Sequence, residues 1–470
     1  MKFDVCVIGS GAGGALCAYG LQKRGFNTLI LEKGAWAKQG LNIITAFTNY
    51  YRDQGFVGSF GNTYIGIPTG EVVGGTTKIN SGTCFNTPRE VLVDWNKRLN
   101  MNIGYEDLSP HFSELTQLLS IAPVEEKYVA QGNKLFVQGL ESFGFKNHFR
   151  LLRTGRDCRG SGRCCFICPN EAKQSTDIAI VPKFLALGGS LISETEVFRI
   201  EEDKTSVTLW CKNKGKNKKI KCSKLVIAAG SLSSPVLIRK NKIGTAYRQA
   251  GAGLTMHPAT KVFAMFDKPL YGWQGVPQAI GFKHPDFPTL SFEGVFTPPS
   301  LSGLVMPVEA ERLNSWLQNY DSVASFGVMV KDTHSGTVST IPGLGLFIRY
   351  HLHQKDFGNL IEAVRFMGLC YLKAGAQKVL LPLNGVQNEF NSLETLQNFD
   401  FSCVKPSQLY SMGFHPLGTC GINRVVDSHL KVLGSRHIYV ADGSVVPTSL
   451  GVNPQITIMA LALRLAEELQ

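Results

Sequence analysis

The chain opens with FDVCVI (3–8), a short β-rich apolar run that gives way at once to glycines. Positions 15–23 then show helical spacing, with Leu16 and Tyr19–Leu21 facing inward, and 27–31 is again strand-like. This predicts a strand–helix–strand unit over 3–34. Helical periodicity recurs across 105–147, and strand-like runs occupy 190–238. Residues 261–265 and 325–331 alternate or are β-rich, as the floor of a second sheet would be. Residues 359–374 carry the pattern of a helix covering that floor, and 457–469 that of a last helix with an acidic end. The pattern predicts an α/β chain with no internal repeat.

Composition adds little to this until charge is considered. Hydrophobic residues make up 44% and charged residues 18%, so a large core can form. The net charge is +12. Much of the excess is Lys212, Lys214, Lys216, Lys218, Lys219 and Lys221, between two strand-like runs, which predicts a solvated hairpin tip. No aromatic platform or helical arginine face accompanies it, so nucleic acid is not expected as a partner. No apolar run reaches the ~18 residues of a spanning helix. Peripheral contact with a membrane stays open. Cleavage after the first apolar stretch would destroy the glycine motif, so a signal peptide is not expected, and the twelve cysteines suit a reducing cytoplasm.

Gly9, Gly11 and Gly14 form G-x-G-x-x-G between the first strand and helix, and Glu32 ends the second strand 23 positions after Gly9. Such a loop turns tightly at the first glycine and admits a pyrophosphate at the second. At the third it packs helix on strand. The acid can accept both ribose hydroxyls, which disfavours a 2′-phosphate. Strand, loop, helix, strand and acid in this order predict a Rossmann-like dinucleotide domain.

Two further segments, EVVGGTTKINSGTCFNTP (71–88) and the stretch from GFHPLGTC to NPQITIM (413–459), resemble the glucose–methanol–choline (GMC) oxidoreductases. KLVIAAGSLSSPVLI (224–238), containing Ala228 and Gly230, resembles that family's second nucleotide-side strand and turn. The resemblance implies a GMC-type FAD-binding domain over 1–255, including a flavin-wrapping loop at 70–90. It further implies an α+β substrate domain on an antiparallel sheet over 256–405, and a segment 406–470 completing the FAD domain. It implies that Gly74, Gly75, Asn80 and Gly82 wrap the flavin and pyrophosphate, and that Val197 uses its backbone near the adenine. Asp442 and Gly443 would lie on the ribityl–phosphate side, with Asn453, Pro454 and Thr457 over the isoalloxazine. The cofactor expected is non-covalent FAD.

Oxidising an alcohol needs a hydride acceptor and a group to handle the hydroxyl proton. The resemblance assigns the second role to His415, in FHPLGTC, as general base or hydrogen-bond acceptor. Asn453 is its partner, as in the cholesterol-oxidase-like pattern of His with Asn. Asn453 could instead be a helix cap. His257, in TMHPAT, reads as a rigid turn. The function implied is oxidation of a primary or secondary alcohol, whether lipid, sterol or sugar alcohol. A non-redox flavin lyase and an iron–sulfur-linked electron-transfer subunit are the alternatives. The apolar stretch 294–308 hints at a lipid-facing pocket.

CRGSGRCCFICP (158–169) places Cys158, Cys164, Cys165 and Cys168 on one short loop. Packed or redox-sensitive thiols, an iron–sulfur cluster, zinc and a disulfide all remain open for it. A cluster would imply an electron-acceptor protein as partner. A similar CC-x-x-C-P stretch occurs in long-chain-alcohol-oxidase-like members. Cys6, Cys17, Cys211, Cys222, Cys370 and Cys403 read as small hydrophobes.

Overall fold

The computed structural model describes residues 2–470, so Met1 of the first expected domain lies outside the described residues. A seven-stranded sheet forms the nucleotide side. Its strands are β1 (Lys2–Ile8), β2 (Thr28–Leu31), β3 (Ser190–Ile192), β4 (Thr195–Glu202), β5 (Val207–Asn213), β6 (Lys216–Ile227) and a final strand, Ile438–Val440. The order is β3-β2-β1-β6-β5-β4. β3, β2, β1, β6 and Ile438–Val440 run parallel, whereas β4, β5 and β6 form an antiparallel meander. The long β6 joins the two parts: its second half pairs with β1 and with Ile438–Val440. The core of β1 is apolar on both faces, with Val5, Cys6 and Val7 fully buried, as a parallel strand covered on both sides requires.

Helix α1 runs from Ala12 to Lys23, three residues earlier than the apolar periodicity alone suggests. It can begin inside the glycine motif because a Cβ at Gly13 would lie 1.8 Å from the Ala441 carbonyl oxygen. Bare backbone there lets α1 pack on the segment after Ile438–Val440. The C-terminal helix Gln455–Glu468 packs beside α1, where a Cβ at Gly20 would come 2.7 Å from that of Ala466. The lysine-rich segment is the expected hairpin. β5 and β6 meet at Lys214 and Gly215, both at positive φ, and the six lysines are exposed.

The second sheet has ten strands. Its centre is β7 (Pro258–Met265), β8 (Ile280–Phe282), β9 (Leu290–Gly294) and β10 (Val323–Val330), in the order β7-β10-β9-β8 and antiparallel throughout. It is not confined to 256–405. Short strands Gly58–Ser59, Ile65–Gly66 and Phe149–Arg150 join its edges, because the chain crosses to the substrate side before the nucleotide sheet is complete. Helices α2 (Gln131–Ser142) and α3 (Gln354–Lys373) cover one face. That face buries Val262, Ala264, Phe292, Phe326 and Val328, and Phe136 of α2 stacks on Phe326 at 3.8 Å. α3 begins five residues before the periodic stretch, with His353 as its N-cap accepting from the Lys355 N–H. The alternate residues of β7, β10 and β9 face the other way. Lys261 is in register with Gly327, and Gly327 with Glu293. Among the described residues no helix is long and apolar enough to cross a membrane.

Candidate active site

The nucleotide loop fits a pyrophosphate by a simple steric test. Gly9 has φ +101, and a Cβ on it would sit 2.3 Å from the Ala228 oxygen. A Cβ on Gly14 would sit 2.1 Å from the Gly9 oxygen. Both glycines are required by the protein itself. Gly11 is different: its backbone is ordinary, and a Cβ there would meet only the Gly75 Cα at 3.9 Å. Its missing side chain leaves room that no protein atom uses, which suits a bound phosphate close to the start of α1. Gly230 likewise faces open space.

Glu32 is buried at the end of β2, and its carboxylate accepts from Ser10 N (2.9 Å), Ser10 Oγ (2.6 Å) and Gly34 N (2.8 Å). Burial raises its pKa, and these three bonds oppose the rise. Ser10 Oγ also accepts from Gly74 N at 2.9 Å, which ties the 70–90 loop to the glycine loop. Val197 is buried on β4, two residues beyond Thr195, whose N–H donates to the Glu32 carbonyl at 2.8 Å. The Asp442 carboxylate accepts from Gly230 N, Ser234 Oγ and Ser444 N.

The wrapping loop is fastened to the C-terminal helix. Asn80 Nδ2 donates to Gln455 Oε1 at 2.5 Å, and Thr457 Oγ1 pairs with Thr87 Oγ1 at 2.8 Å. Asn80 Oδ1 accepts from Gly82 N at 3.0 Å. Below it, the buried pair Lys78–Asp177 meets at 2.5 Å.

His415 and Asn453 come together, with His415 Nε2 at 3.5 Å from Asn453 Nδ2. Pro454 is the N-cap of the C-terminal helix, and Asn453 Oδ1 has no hydrogen-bond partner, so Asn453 does not cap it. His257 is more than a turn. It is fully buried at φ +49, and its Nε2 accepts the N–H groups of Leu450 (3.1 Å) and Gly451 (2.8 Å). A ring nitrogen that accepts twice carries no proton. The neutral ring therefore has its proton on Nδ1, which faces His415 Nδ1 at 3.2 Å. His415 Nδ1 is then the acceptor and its own proton is on Nε2; the Asn453 amide nitrogen 3.5 Å away is also a donor, so the two N–H groups do not bond each other and both are left for a third group. Burial pushes the His415 pKa down to about 4. Burial, followed by the neighbouring His415, also pulls His257 well below the usual range. Asp332 holds the strained turn, accepting from Met256 N (2.8 Å), His257 N (3.2 Å) and Tyr350 Oη (3.1 Å).

Sequence reasoning missed Glu293. Its Oε2 accepts from Gln278 Nε2 at 2.6 Å and from Asn453 Nδ2 at 3.5 Å, and its Oε1 is buried without a partner. Burial raises its pKa to about 7, against the Asn453 hydrogen bond and the Lys283 and Arg153 charges. The signal was available: Ser291 and Glu293 are the polar members of an otherwise apolar strand, LSFEG.

Among the described residues no group of three His, Cys, Asp or Glu side chains converges to hold an ion, so an iron–sulfur or zinc centre is not supported, and all twelve cysteines are free thiols. Loop contacts anchor the 158–169 segment: Tyr51 Oη donates to the Cys165 carbonyl, Lys173 Nζ to that of Cys164, and Cys165 Sγ pairs with Ser81 Oγ at 3.2 Å. Burial pushes the Cys164 thiol up, but the Arg153 charge and hydrogen bond, with Lys173, bring it below the usual range. Of the six scattered cysteines, five are buried, whereas Cys403 is exposed.

Comparison with known proteins agrees with this geometry. A GMC oxidoreductase profile matches residues 47–259, its C-terminal counterpart matches 345–462, and an NAD(P)-binding Rossmann-like profile matches 7–37. An uncharacterized GMC-type oxidoreductase of Mycobacterium tuberculosis is 30% identical over 99% of this chain and 76% of its own length. One of Sinorhizobium fredii is 30% identical over 99% and 94%. A long-chain-alcohol oxidase of Arabidopsis thaliana is 24% identical over 98% of this chain and 67% of its own length. Among solved structures, pyridoxine 4-oxidase from Mesorbium loti superposes with a TM-score of 0.77 at 17% identity, covering 99% of both chains. Formate oxidase gives 0.74 at 13%, covering 99% of this chain and 97% of its own. These two share the fold. FAD is the cofactor expected of such proteins, and the chain belongs to the GMC oxidoreductase family.

Proposed function

We propose that the protein oxidises the CH–OH group of a small-molecule alcohol with non-covalently held FAD as the hydride acceptor. One observation carries this reading. Glu293 Oε1 and Asn453 Oδ1 are buried acceptors without partners, and beside Asn453 the Nε2–H of His415 is a donor. A hydroxyl can donate its one proton to one of these acceptors, Glu293 Oε1 in this reading, while its oxygen accepts from the donor. Neither a carbonyl nor a carboxylate can do both. The long-chain-alcohol oxidase among the relatives supports the same donor class.

In this reading FAD lies along Gly9, Gly11, Gly14, Glu32 and the 70–90 loop, and its ring supplies the hydride acceptor when bound. The substrate hydroxyl gives its proton to Glu293, whose carboxyl ionises near neutrality. His415 Nε2–H and Asn453 Nδ2–H donate to the oxygen as negative charge develops on it. His415 is thus a donor rather than the base its sequence context suggests, because His257 fixes its tautomer from behind. Neutral His257 and His415 keep that arrangement to well below the usual imidazole range, because burial holds both pKa values down. His415→Ala should retain FAD and slow anaerobic flavin reduction by ~10²–10⁴. Unchanged reduction kinetics would remove His415 from the mechanism.

A further inference from the structure

The substrate sheet carries a buried lysine with no carboxylate partner among the described residues, the Cys165 thiol being the one group near enough to favour its charge. Lys261 stands inside β7 in one row with Gly327 and Glu293, on the face away from α2 and α3. Gly327 keeps the middle of the row low. A Cβ there would come 3.1 Å from Val295 Cγ1 and 3.3 Å from the Thr260 oxygen. The Lys261 ammonium has one hydrogen-bond acceptor, Thr297 Oγ1, and lies 4.9 Å from the Phe263 ring centroid. Among the described residues no carboxylate comes within 4.0 Å of it. Thr297 is buried, and Tyr320 Oη fixes its carbonyl at 2.8 Å. Its hydroxyl accepts from Lys261, and its own proton has no acceptor in the chain.

Burial pulls the Lys261 pKa down to about 7, so the site charges readily only when an anion arrives. Two donors, one of them cationic, therefore share a spot that lacks its acceptor. Lys261 and Glu293 lie in one row two strands apart, which separates this spot from the reacting centre by on the order of 10 Å. The ground beside it is apolar: Phe263, Met306 and Trp316 are buried together, with Phe296 packed against them. Part of the apolar stretch 294–308 thus packs beside this spot.

We propose that Lys261 and Thr297 bind a carboxylate at the far end of the substrate, so that the alcohol oxidised is a medium-length hydroxy acid, roughly six to ten carbons long. The inference deepens the alcohol-oxidising reading and rests on it. One ammonium and one hydroxyl match a monoanion. A phosphate dianion would call for the bidentate arginine this spot lacks.

The test uses the FAD-loaded protein and calorimetric titration with octanoate, which has the anion but no alcohol. Octanoate should bind the wild type, bind Lys261→Met roughly 10–100-fold more weakly, and bind Lys261→Arg within a few-fold of wild type. Thr297→Val should fall between. With ω-hydroxyoctanoate as donor, Lys261→Met should raise the half-saturating concentration far more than it lowers the limiting rate of anaerobic flavin reduction. Octanoate binding that is absent from the wild type, or equal in wild type and Lys261→Met, overturns the carboxylate site. If octanol bleaches the flavin while octanoate does not bind, alcohol oxidation stands and the carboxylate site falls. If octanoate binding tracks Lys261 but neither ω-hydroxyoctanoate nor octanol bleaches the flavin, the site stands and alcohol oxidation falls.

Discussion

Replacing Glu293 with Gln separates the chemistry from the packing. The amide keeps the shape of the side chain and can still accept from Gln278 and Asn453 through one oxygen, but it cannot take a proton. If Glu293 receives the hydroxyl proton, flavin reduction should slow by ~10²–10⁴, equivalent to about 3–5 kcal/mol of barrier. The pH dependence makes the test specific. Burial raises the carboxyl from 4.5 to about 7, so the wild-type reduction rate should climb through neutrality as the carboxylate forms. The Glu293→Gln variant should show no such inflection. Stability should move the other way. Between 4.5 and about 7 the unfolded chain has lost this proton and the folded chain has not, so wild-type stability falls as pH rises across that window. The loss amounts to at most about 3 kcal/mol. Glu293→Gln should therefore match the wild type in acid and melt a few degrees higher above neutrality. The assays are anaerobic stopped-flow reduction across the pH range and thermal melts on the same FAD-loaded samples. A variant with the wild-type rate and the wild-type inflection refutes the assignment, whatever happens to its melting temperature.

Other expectations follow from single contacts. Gly11→Val fills room that no protein atom occupies, so it should fold with its sheet intact yet lose FAD, as absorbance after gel filtration reports; a fully flavinated variant contradicts the loop assignment. His257→Asn tolerates the left-handed backbone but breaks the link to His415 Nδ1, and flavin reduction should drop by ~10²–10⁴ while FAD stays bound; wild-type reduction would show that the His415 tautomer is not set from behind. Asp177→Ala leaves the buried Lys78 ammonium unpaired and should cost ~3–5 kcal/mol in denaturant unfolding; a loss below about 1 kcal/mol would mean water reaches the pair.

The ends of the molecule were legible in the sequence because backbone geometry dictates their residues. Gly9 and Gly14 must lack side chains, and β1, α1 and β2 follow from the apolar periods around them. His415 was found through its resemblance and not through periodicity, and its partner His257 looked like turn chemistry because His-Pro is common in turns. Neither its left-handed backbone nor the two N–H groups on its Nε2 leave a mark in the local sequence. Glu293 and Lys261 lie 32 residues apart and come onto one face only through the register of β7, β10 and β9. That register is a long-range property. The cysteine loop left several readings open in the sequence because close spacing along the chain does not fix where thiols point; its carbonyls are anchored to Tyr51 and Lys173, and among the described residues no three ligands converge on an ion site.

The central claim is best tested by adding a stoichiometric excess of a hydroxy acid or alcohol, under anaerobic conditions, to the purified protein and following its visible absorbance. The account predicts bound flavin that bleaches in the wild type and bleaches at least a hundredfold more slowly in His415→Ala, with ~10²–10⁴ the expected span. Protein purified without flavin, or flavin that alcohol donors leave oxidised, would contradict it.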